Sequence, residues 1–297
     1  MLKIREQKKK GKVLSMKTFE VKGHEPSILP DGEWDLVWAD EFDGTELDMT
    51  KWAYRTHIMG KRHPGFATEG VELDGNSNAV FRIFEKDGEI CSPHLQTGYN
   101  WADASHEETV SFGDNVAEND LLLVWPVGKF QEHKFLHKYG YYECRCKLQR
   151  ERGWWSAFWL QSPVIGTSAD PAVSGIENDI MESFEPGKVD IHVNHYNGYG
   201  EDHAKKIAGN GIDVSLDEYH TFGLLWEPDG YSWYVDGVQD GEKVTEPVSH
   251  IPQFILISTE VNGYRQAGCT ATEEAKAAAK AGDVFVVDYV RVFDRVK

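Results

Sequence analysis

Cysteine, long apolar runs and positive charge are all scarce in this chain of 297 residues. Its four cysteines contain no C-x-x-C pair, which argues against a disulfide-dense scaffold and against a cysteine-based zinc site. No stretch approaches the roughly 18 consecutive apolar residues of a membrane-spanning helix, so we expect no membrane partner. Lys and Arg total 31 against 49 Asp and Glu, and a formal charge of −18 would repel the phosphate backbone of a nucleic acid.

The N-terminus also lacks a recognisable targeting signal. A basic run at residues 8–10 is not followed by the apolar segment of a secretory signal. As it stands the sequence predicts a cytoplasmic protein; if a leader is missing the protein is secreted, and Met16 is a second candidate for its first residue. Apolar and aromatic residues are plentiful, with 10 Trp, 12 Tyr and 14 Phe, and they are sufficient to fill a large core.

Alternating apolar and polar residues dominate the chain and predict an all-β fold. Residues 139–149 show the pattern best. Tyr142, Cys144, Cys146 and Leu148 fall at alternate positions, which predicts one buried face of a strand.

Further elements follow from turn and helix signals. Residues 219–227 and 231–238 flank a short segment with proline and glycine, which predicts a hairpin. Residues 284–293 are rich in β-branched and aromatic residues and predict a last strand. Residues 272–281 are rich in alanine and lysine and precede a glycine, so they predict a single minor helix.

No internal repeat or Pro/Ser-rich linker divides the chain. We therefore expect one domain over residues 31–297, preceded by a mobile arm over residues 1–30. Many short strands with one minor helix favour a sandwich or a barrel. Residues 101–135 have weak periodicity, and we expect a long loop or insertion there that either blocks one end of a cleft or adds a subsite.

Three acidic residues share one short apolar segment, Glu177-x-Asp179-x-x-Glu182. On a regular strand Glu177 and Asp179 face the same side, whereas Glu182 faces the opposite layer. A β-bulge at Ile180-Met181 would shift the register by one residue and bring all three carboxylates to one face. Leaning side chains could then bring the two glutamates to the roughly 5–5.5 Å carboxyl separation of a retaining glycosidase.

Such a trio has a division of chemical roles. An ionised Glu can attack an anomeric carbon, a second Glu kept protonated by neighbouring charge can protonate the leaving oxygen, and Asp179 can hold the nucleophile in place. Acidic residues are frequent in this chain, so the spacing alone leaves a solvated acidic face or a calcium cluster as alternatives. Ile176, Ile180 and Met181 indicate a core-packed strand, where an acidic face needs a partner or a purpose.

Sequence blocks on both sides of this segment resemble glycoside hydrolase family 16. The Glu177-x-Asp179-x-x-Glu182 spacing is similar to the bulged ExDxxE signature of that family's laminarinases, agarases, porphyranases and carrageenases. The resemblance extends from about residue 34 to residue 293. It is carried by further blocks at residues 38–52, 139–147, 153–160, 219–226, 234–237 and 287–293.

This resemblance implies a concanavalin-like β-jelly-roll sandwich with a glycan-binding cleft across its concave sheet. Glu177 is then the nucleophile, Asp179 its assistant and Glu182 the acid/base of a double displacement. The resemblance also assigns Trp155 and Trp159 to the cleft, and their even spacing places both on one face of a strand. The alternative is that the two tryptophans are core residues.

Other cleft residues are expected on two more segments. Alternation over residues 189–196 predicts that Asn194 and Tyr196 face the cleft, where they could hydrogen-bond a sugar. The resemblance places His195 in the cleft, but simple alternation turns it towards the core, so its position stays open. Glu260 falls in a segment that lines the cleft in laminarinases, and its charge would disfavour an anionic substrate.

Together these features predict a retaining, endo-acting glycoside hydrolase that cleaves internal β-linkages of a neutral polysaccharide, with β-1,3- or mixed-linkage glucan preferred. The alternatives are a β-galactan hydrolase of the agarase or porphyranase type, a transglycosylase and, outside the enzymes, a noncatalytic lectin-like binding module. We expect a monomer that binds polysaccharide or oligosaccharide and requires no cofactor. A structural calcium near Asp288 would fit the resemblance, and the alternative is that Asp288 is a turn residue or a salt-bridge partner.

Overall fold

The structure is a computed structural model, and it describes residues 17–58, 61–103, 131–190, 192–209, 211–263 and 270–296. Its strands are, in chain order, β1 (Lys17–Phe19), β2 (Ser27–Leu29), β3 (Trp34–Asp40), β4 (Ala53–Tyr54), β5 (His57–Ile58), β6 (Lys61–Arg62), β7 (Phe66–Ala67), β8 (Val71–Leu73), β9 (Ala79–Phe81), β10 (Phe84–Lys86), β11 (Glu89–Gln96), β12 (Gly140–Lys147), β13 (Trp154–Gln161), β14 (Glu177–Ser183), β15 (Lys188–Val189), β16 (His192–Tyr196), β17 (Ala204–Ala208), β18 (Ile212–Asp213), β19 (His220–Glu227), β20 (Gly230–Val235), β21 (Val238–Val244), β22 (Phe254–Val261) and β23 (Phe285–Arg295). The helical elements are a 3-10 turn (Trp101–Asp103), α1 (Pro171–Ser174) and α2 (Glu273–Ala281). None of the described helices is long and apolar enough to cross a membrane.

Two large sheets account for most of these strands. The front sheet has the order β10-β11-β22-β13-β14-β16-β17, with β4 and β7 also paired to β11. The back sheet has the order β21-β20-β19-β12-β23-β9-β8, with β3 paired to β23. Neighbouring strands are antiparallel at nearly every pairing and often come from distant parts of the chain. The predicted all-β sandwich is confirmed.

One hydrophobic core fills the space between the two sheets. The back sheet contributes Tyr142, Cys144 and Cys146 from β12, all fully buried, together with Leu148 just beyond that strand. The alternation of residues 139–149 therefore predicted the inward face correctly. The front sheet contributes apolar side chains from three adjacent strands, namely Phe158, Leu160, Ile180, Met181, Ile255 and Ile257.

The elements predicted from turn and cap signals are also present. In the hairpin of β19 and β20, Glu227 pairs with Gly230 across a two-residue turn. In α2, the Thr272 side chain accepts a hydrogen bond from the backbone N–H of Ala275 at 3.2 Å. Gly282 ends this helix in the left-handed region, with φ at 71°, where glycine carries no steric penalty. The last strand, β23, covers the predicted segment.

The N-terminal region differs from the prediction. Strands β1 and β2 form a hairpin on the outer face of the back sheet, where Leu29 is 2% exposed. The Arg291 side chain donates a hydrogen bond to Ser27 Oγ at 2.9 Å. The prediction of a mobile arm over residues 1–30 therefore does not hold for residues 17–29. The hairpin is held because Leu29 packs with apolar side chains on the outer face of β12 and β23, and because Ser27 and Ile28 hydrogen-bond to polar side chains there. Earlier residues lie outside the described part of the chain.

The predicted insertion at residues 101–135 is described only at its two ends. Residues 101–103 form the 3-10 turn, and residues 131–135 lead towards β12. The stretch between them, residues 104–130, lies outside the described residues. Phe135 stacks on Trp38 with ring centroids 5.1 Å apart, which fixes the second end of the insertion against the body of the sandwich.

Glu143 is a fully buried acid between the back sheet and the N-terminal hairpin. Its carboxylate accepts hydrogen bonds from the Ile28 backbone N–H at 3.2 Å and from the Tyr289 hydroxyl. Burial raises the pKa of Glu143 to about 7, because removing the carboxylate from water outweighs the hydrogen bonds from Tyr289 and Ile28 and the charge of Arg291. The protonation of this residue is therefore coupled to folding.

We predict that this coupling gives the free energy of unfolding a pH dependence. A carboxyl group whose pKa is higher in the folded than in the unfolded state binds its proton more tightly in the folded state. The contribution of Glu143 to stability should therefore fall by about 3 kcal/mol as pH rises from the ordinary value of 4.5 to about 7, and then level off. Denaturant unfolding across this pH range should show a slope in the wild type and a slope that is smaller by this amount in Glu143→Gln, where the raised pKa of Glu182 still contributes. The exposed control Glu33→Gln should keep the slope, and identical slopes in all three proteins would contradict the assignment.

Candidate active site

The acidic segment forms β14, and β14 contains the predicted bulge. Two consecutive residues of β13 pair with Met181 and Asp179, so Ile180 is an extra residue without a partner on that strand. Ile180 and Met181 are both fully buried in the core. Because two successive side chains face inward, the alternation is reset and Glu182 returns to the outer face of the front sheet.

Hydrogen bonds from β13 confirm that the acidic residues share this outer face. Gln161 Nε2 donates to Glu177 Oε2 at 2.9 Å. Trp155 Nε1 donates to Glu182 Oε1 at 2.8 Å. The donors lie at odd positions of β13, whereas the even positions of that strand face the core. Asp179 lies between the two glutamates, and the predicted convergence of the three acids is confirmed.

Glu182 has the environment of a proton donor. Burial raises its pKa well above the ordinary value, and the charge of Asp179 raises it further. The hydrogen bond from Trp155 acts in the opposite direction and is outweighed, while Glu177 adds another repulsive charge. The site therefore favours the protonated form of Glu182, as a general acid requires.

The carboxylate of Glu177 is instead oriented by hydrogen-bond donors. Besides Gln161, the Tyr199 hydroxyl donates a hydrogen bond to Glu177 Oε2. Gln161 Nε2 also donates to the Tyr199 oxygen, so the three side chains form a closed set of contacts. This arrangement fixes the orientation of one carboxylate oxygen and suits a carboxylate that attacks a positioned substrate.

Asp179 is only 5% exposed and contacts a histidine. Its Oδ2 lies 3.2 Å from His195 Nε2, and His195 Nδ1 lies 2.8 Å from His203 Nε2. Burial and the neighbouring His195 lower the pKa of His203. The register pairs His195 with Glu177, which places it on the site face. The open question about His195 is therefore resolved in favour of the site.

Asn194 and Tyr196 do not face the site, and that prediction is wrong. Asn194 is fully buried opposite Asn178, and Tyr196 packs against the central core. The physical reason is an interruption of the strand. β15 ends at Val189 and β16 begins at His192, and both of these residues face the core, so the alternation does not run through the segment unbroken.

Trp155, Trp159 and Glu260 lie on the predicted face, but the structure covers two of them. Trp155 is half-buried beside Glu182. Trp159 is 6% exposed and Glu260 is 3% exposed. The Arg55 guanidinium carbon lies 5.3 Å from the centroid of the Trp159 ring, so little of this ring is open to a ligand. Trp155 remains a candidate sugar contact, whereas Trp159 is mainly part of a small outer cluster.

Three residues of the site were not found from the sequence. Gln161 has the same strand parity as Trp155 and Trp159, so the alternation of β13 carried a usable signal for it. Tyr199 and His203 lie in the loop between β16 and β17. No periodic pattern indicates which loop residues reach a site, because their positions depend on the path of the loop.

Two positions are candidates for a metal ion, one at Glu177 in the site and one at Asp288. At both positions the carboxylate already accepts hydrogen bonds. Among the described residues, Glu177, Asp179 and His195 place ligand-type atoms within 4.8 Å of one another. Glu177 already accepts two hydrogen bonds there. At Asp288, the Arg145 guanidinium donates to the carboxylate, and a second cation at the same oxygens would be repelled. The Asp288 carboxylate is therefore a salt-bridge partner of Arg145, as the alternative to a calcium ligand expected.

Comparison with known proteins agrees with the fold. The model of the glycosyl hydrolases family 16 matches residues 100–282. The chain belongs to this family. The predicted jelly-roll fold is also confirmed, since the catalytic domain of an endo-1,3-beta-glucanase (laminarinase) from Thermotoga petrophila RKU-1 superposes with a TM-score of 0.60. That match has 22% identity and covers 90% of this chain and 100% of the other.

Two relatives of this family 16 chain are similar over most of its length. A glucan endo-1,3-beta-glucosidase A1 from Niallia circulans is 27% identical over 283 residues, which cover 87% of this chain. A beta-glucanase from Rhodothermus marinus is 26% identical over 278 residues, which cover 88% of this chain and 85% of that protein. This chain spans only 38% of the Niallia circulans protein.

We predict opposite effects of two substitutions on the pKa of Glu182. Asp179→Asn removes a repulsive charge and should lower it, whereas Trp155→Phe removes a hydrogen bond to the ionised form and should raise it. The measurement is a ¹³C NMR titration of glutamate carboxyl groups, with the Glu182 signal assigned by its loss in Glu182→Gln. Glu201→Gln, in the exposed loop after β16, is the matched control. Shifts in the same direction for both variants would contradict this electrostatic description.

Proposed function

We propose that this domain is a retaining, endo-acting glycoside hydrolase that cleaves internal β-linkages of a neutral polysaccharide. The observation that carries the proposal is the pair of glutamates on one face of β14, in opposite environments. Glu182 favours its protonated form, and Glu177 is oriented by hydrogen-bond donors. A binding module has no need for such a pair, whereas a double displacement requires it.

In the first step Glu177 attacks the anomeric carbon of the sugar. A bond forms between that carbon and a Glu177 oxygen, while the glycosidic carbon–oxygen bond breaks and Glu182 gives its proton to the leaving oxygen. Asp179, held by His195, lies beside the nucleophile and limits its movement. The product of this step is a glycosyl-enzyme, with Glu182 now ionised.

In the second step the ionised Glu182 acts as a base. It removes a proton from a water molecule, whose oxygen bonds to the anomeric carbon from the side that the leaving group vacated. The bond to Glu177 breaks, and both carboxyl groups return to their initial states. Two inversions at one carbon leave the product with the starting β configuration.

A β-1,3- or mixed-linkage glucan is the substrate that we propose. The relatives from Niallia circulans and Rhodothermus marinus are named as glucanases. The net charge of −18 and the position of Glu260 on the site face both disfavour an anionic polysaccharide. The catalytic pair lies on the outer face of the front sheet, along which we propose that the middle of a long chain binds.

Glu177→Gln should lower hydrolysis by at least about 10³-fold, because the amide cannot form the covalent intermediate. Reducing-sugar release from laminarin and barley glucan measures this loss, and calorimetry should show nearly unchanged binding. Glu201→Gln is the matched control and should retain activity. Faster release from agarose, porphyran or galactan than from either glucan would favour a galactanase, and full activity of Glu177→Gln would remove the nucleophile assignment.

The stereochemistry of the product provides a second check. Proton NMR during the first minutes of glucan hydrolysis should show the β anomer of the new reducing end, before mutarotation produces the α anomer. An α anomer formed first would require a single displacement by water and a wider carboxyl separation, of roughly 6.5–9.5 Å.

A further inference from the structure

A cavity of about 200 Å³ lies at one end of the outer face of the front sheet. It is bordered by residues next to β4, by the end of β11 and by both described ends of the predicted insertion. Its lining includes Tyr54, Arg55, Gln96, Tyr99, Trp101 and His133. From the sequence, residues 101–135 were expected either to block one end of a cleft or to add a subsite, but none of these lining residues was singled out.

Arg55 is the buried cation of this cavity, with 4% of its surface exposed. Its Nε and Nη2 atoms both lie 2.6 Å from Asp103 Oδ2. Its guanidinium carbon lies over the rings of Trp159 and Phe66, at 5.3 and 5.9 Å. The remaining nitrogen, Nη1, is buried and has no hydrogen-bond partner among the described residues. A buried donor in that state is costly unless an acceptor reaches it.

Trp101 supplies an apolar surface at the rim. Trp101 is 47% exposed, which is unusual for a large aromatic residue. The orientation of its ring is nevertheless fixed. Its Nε1 donates to the Ile165 backbone oxygen at 2.6 Å, and this bond holds the ring in place. A fixed, half-exposed aromatic ring beside an unpaired donor is typical of a ligand pocket.

Hydrogen bonds connect this cavity with the nucleophile. Asn100 Nδ2 donates to Asp103 Oδ2 at 3.1 Å and also to Gln161 Oε1. Gln161 Nε2 in turn donates to Glu177 Oε2 at 2.9 Å. The cavity therefore lies on the Glu177 side of the catalytic pair, and the same set of side chains that orients Glu177 also positions Arg55.

We propose that this cavity is a subsite for one neutral pyranose ring of the polysaccharide, with Arg55 Nη1 donating to a sugar hydroxyl and Trp101 covering an apolar face of the ring. The inference rests on the proposed function. Pockets for drug-sized ligands measure roughly 300–1,000 Å³, so a volume of about 200 Å³ suits a single ring. Asp103 balances the charge of Arg55, so the cavity has no excess positive charge that would select an anionic sugar.

This subsite replaces the sugar contact that the family resemblance assigned to Trp159. Arg55 covers the Trp159 ring, so a chain that follows the outer face of the sheet meets Arg55 and Trp101 at this position instead. Arg55 and Trp101 are therefore specificity-determining residues. They contact the substrate away from the bond that is cleaved, and their binding energy should appear as a dependence on substrate length.

The test measures the affinity of β-1,3-gluco-oligosaccharides of increasing length for the Glu177→Gln protein, by calorimetry. Affinity should rise on the order of tenfold at the oligosaccharide length that first fills the cavity, and we call this rise the affinity step. Adding Trp101→Ala should abolish this step, and adding Arg55→Lys should reduce it, while the affinity for shorter oligosaccharides stays unchanged. Trp101 is half-exposed, so its truncation should not prevent folding, and thermal unfolding of each variant checks this.

Val238→Ala, at an exposed position of the back sheet, is the matched control and should keep the step. Absence of a step with Glu177→Gln alone, or its persistence after both Trp101→Ala and Arg55→Lys, would overturn the subsite. Hydrolysis by the unsubstituted enzyme is measured in parallel. Binding with the step but without any hydrolysis would contradict the proposed function and support the subsite, whereas hydrolysis without the step would do the opposite.

Discussion

The extra residue in β14 is the constraint on which the site depends. Strand geometry sends successive side chains to opposite faces, so Glu177 and Glu182 share a face only if one residue is left over between them. Ile180 and Met181 are both taken into the core, where burial of each side chain contributes about 1.5–3 kcal/mol. The hydrophobic core therefore holds the bulge, and the bulge holds the two carboxyl groups on the outer face.

The carboxyl groups then acquire different properties from their neighbours. Glu182 is buried and close to the charge of Asp179, so its proton is retained; Glu177 meets the amide of Gln161 and the hydroxyl of Tyr199. The network through Gln161 continues to Arg55 at one end of the face. The proposed nucleophile and the proposed subsite thus share one set of hydrogen bonds, on a sheet whose inner face packs in the core.

Strand-level predictions succeeded where alternation is continuous and failed where it is interrupted. The inward face of β12 follows from alternation alone, and the bulge in β14 was expected as the condition for the three acids to share one face. Asn194 and Tyr196 were placed on the wrong face because the chain between β15 and β16 breaks the alternation. The N-terminal hairpin escaped prediction because its packing depends on the outer face of a sheet formed by strands far away in the chain.

Local patterns and motif spacing were sufficient for the all-β class, the family and the acidic trio, because these depend on the order of side chains along single strands. The placement of Arg55 over Trp159, of Tyr199 against Glu177 and of His195 beside Asp179 was decided by tertiary packing. These contacts join segments up to about a hundred residues apart, and no local pattern of the chain encodes which of them meet. Their geometry arises only when the strands of the front sheet are side by side.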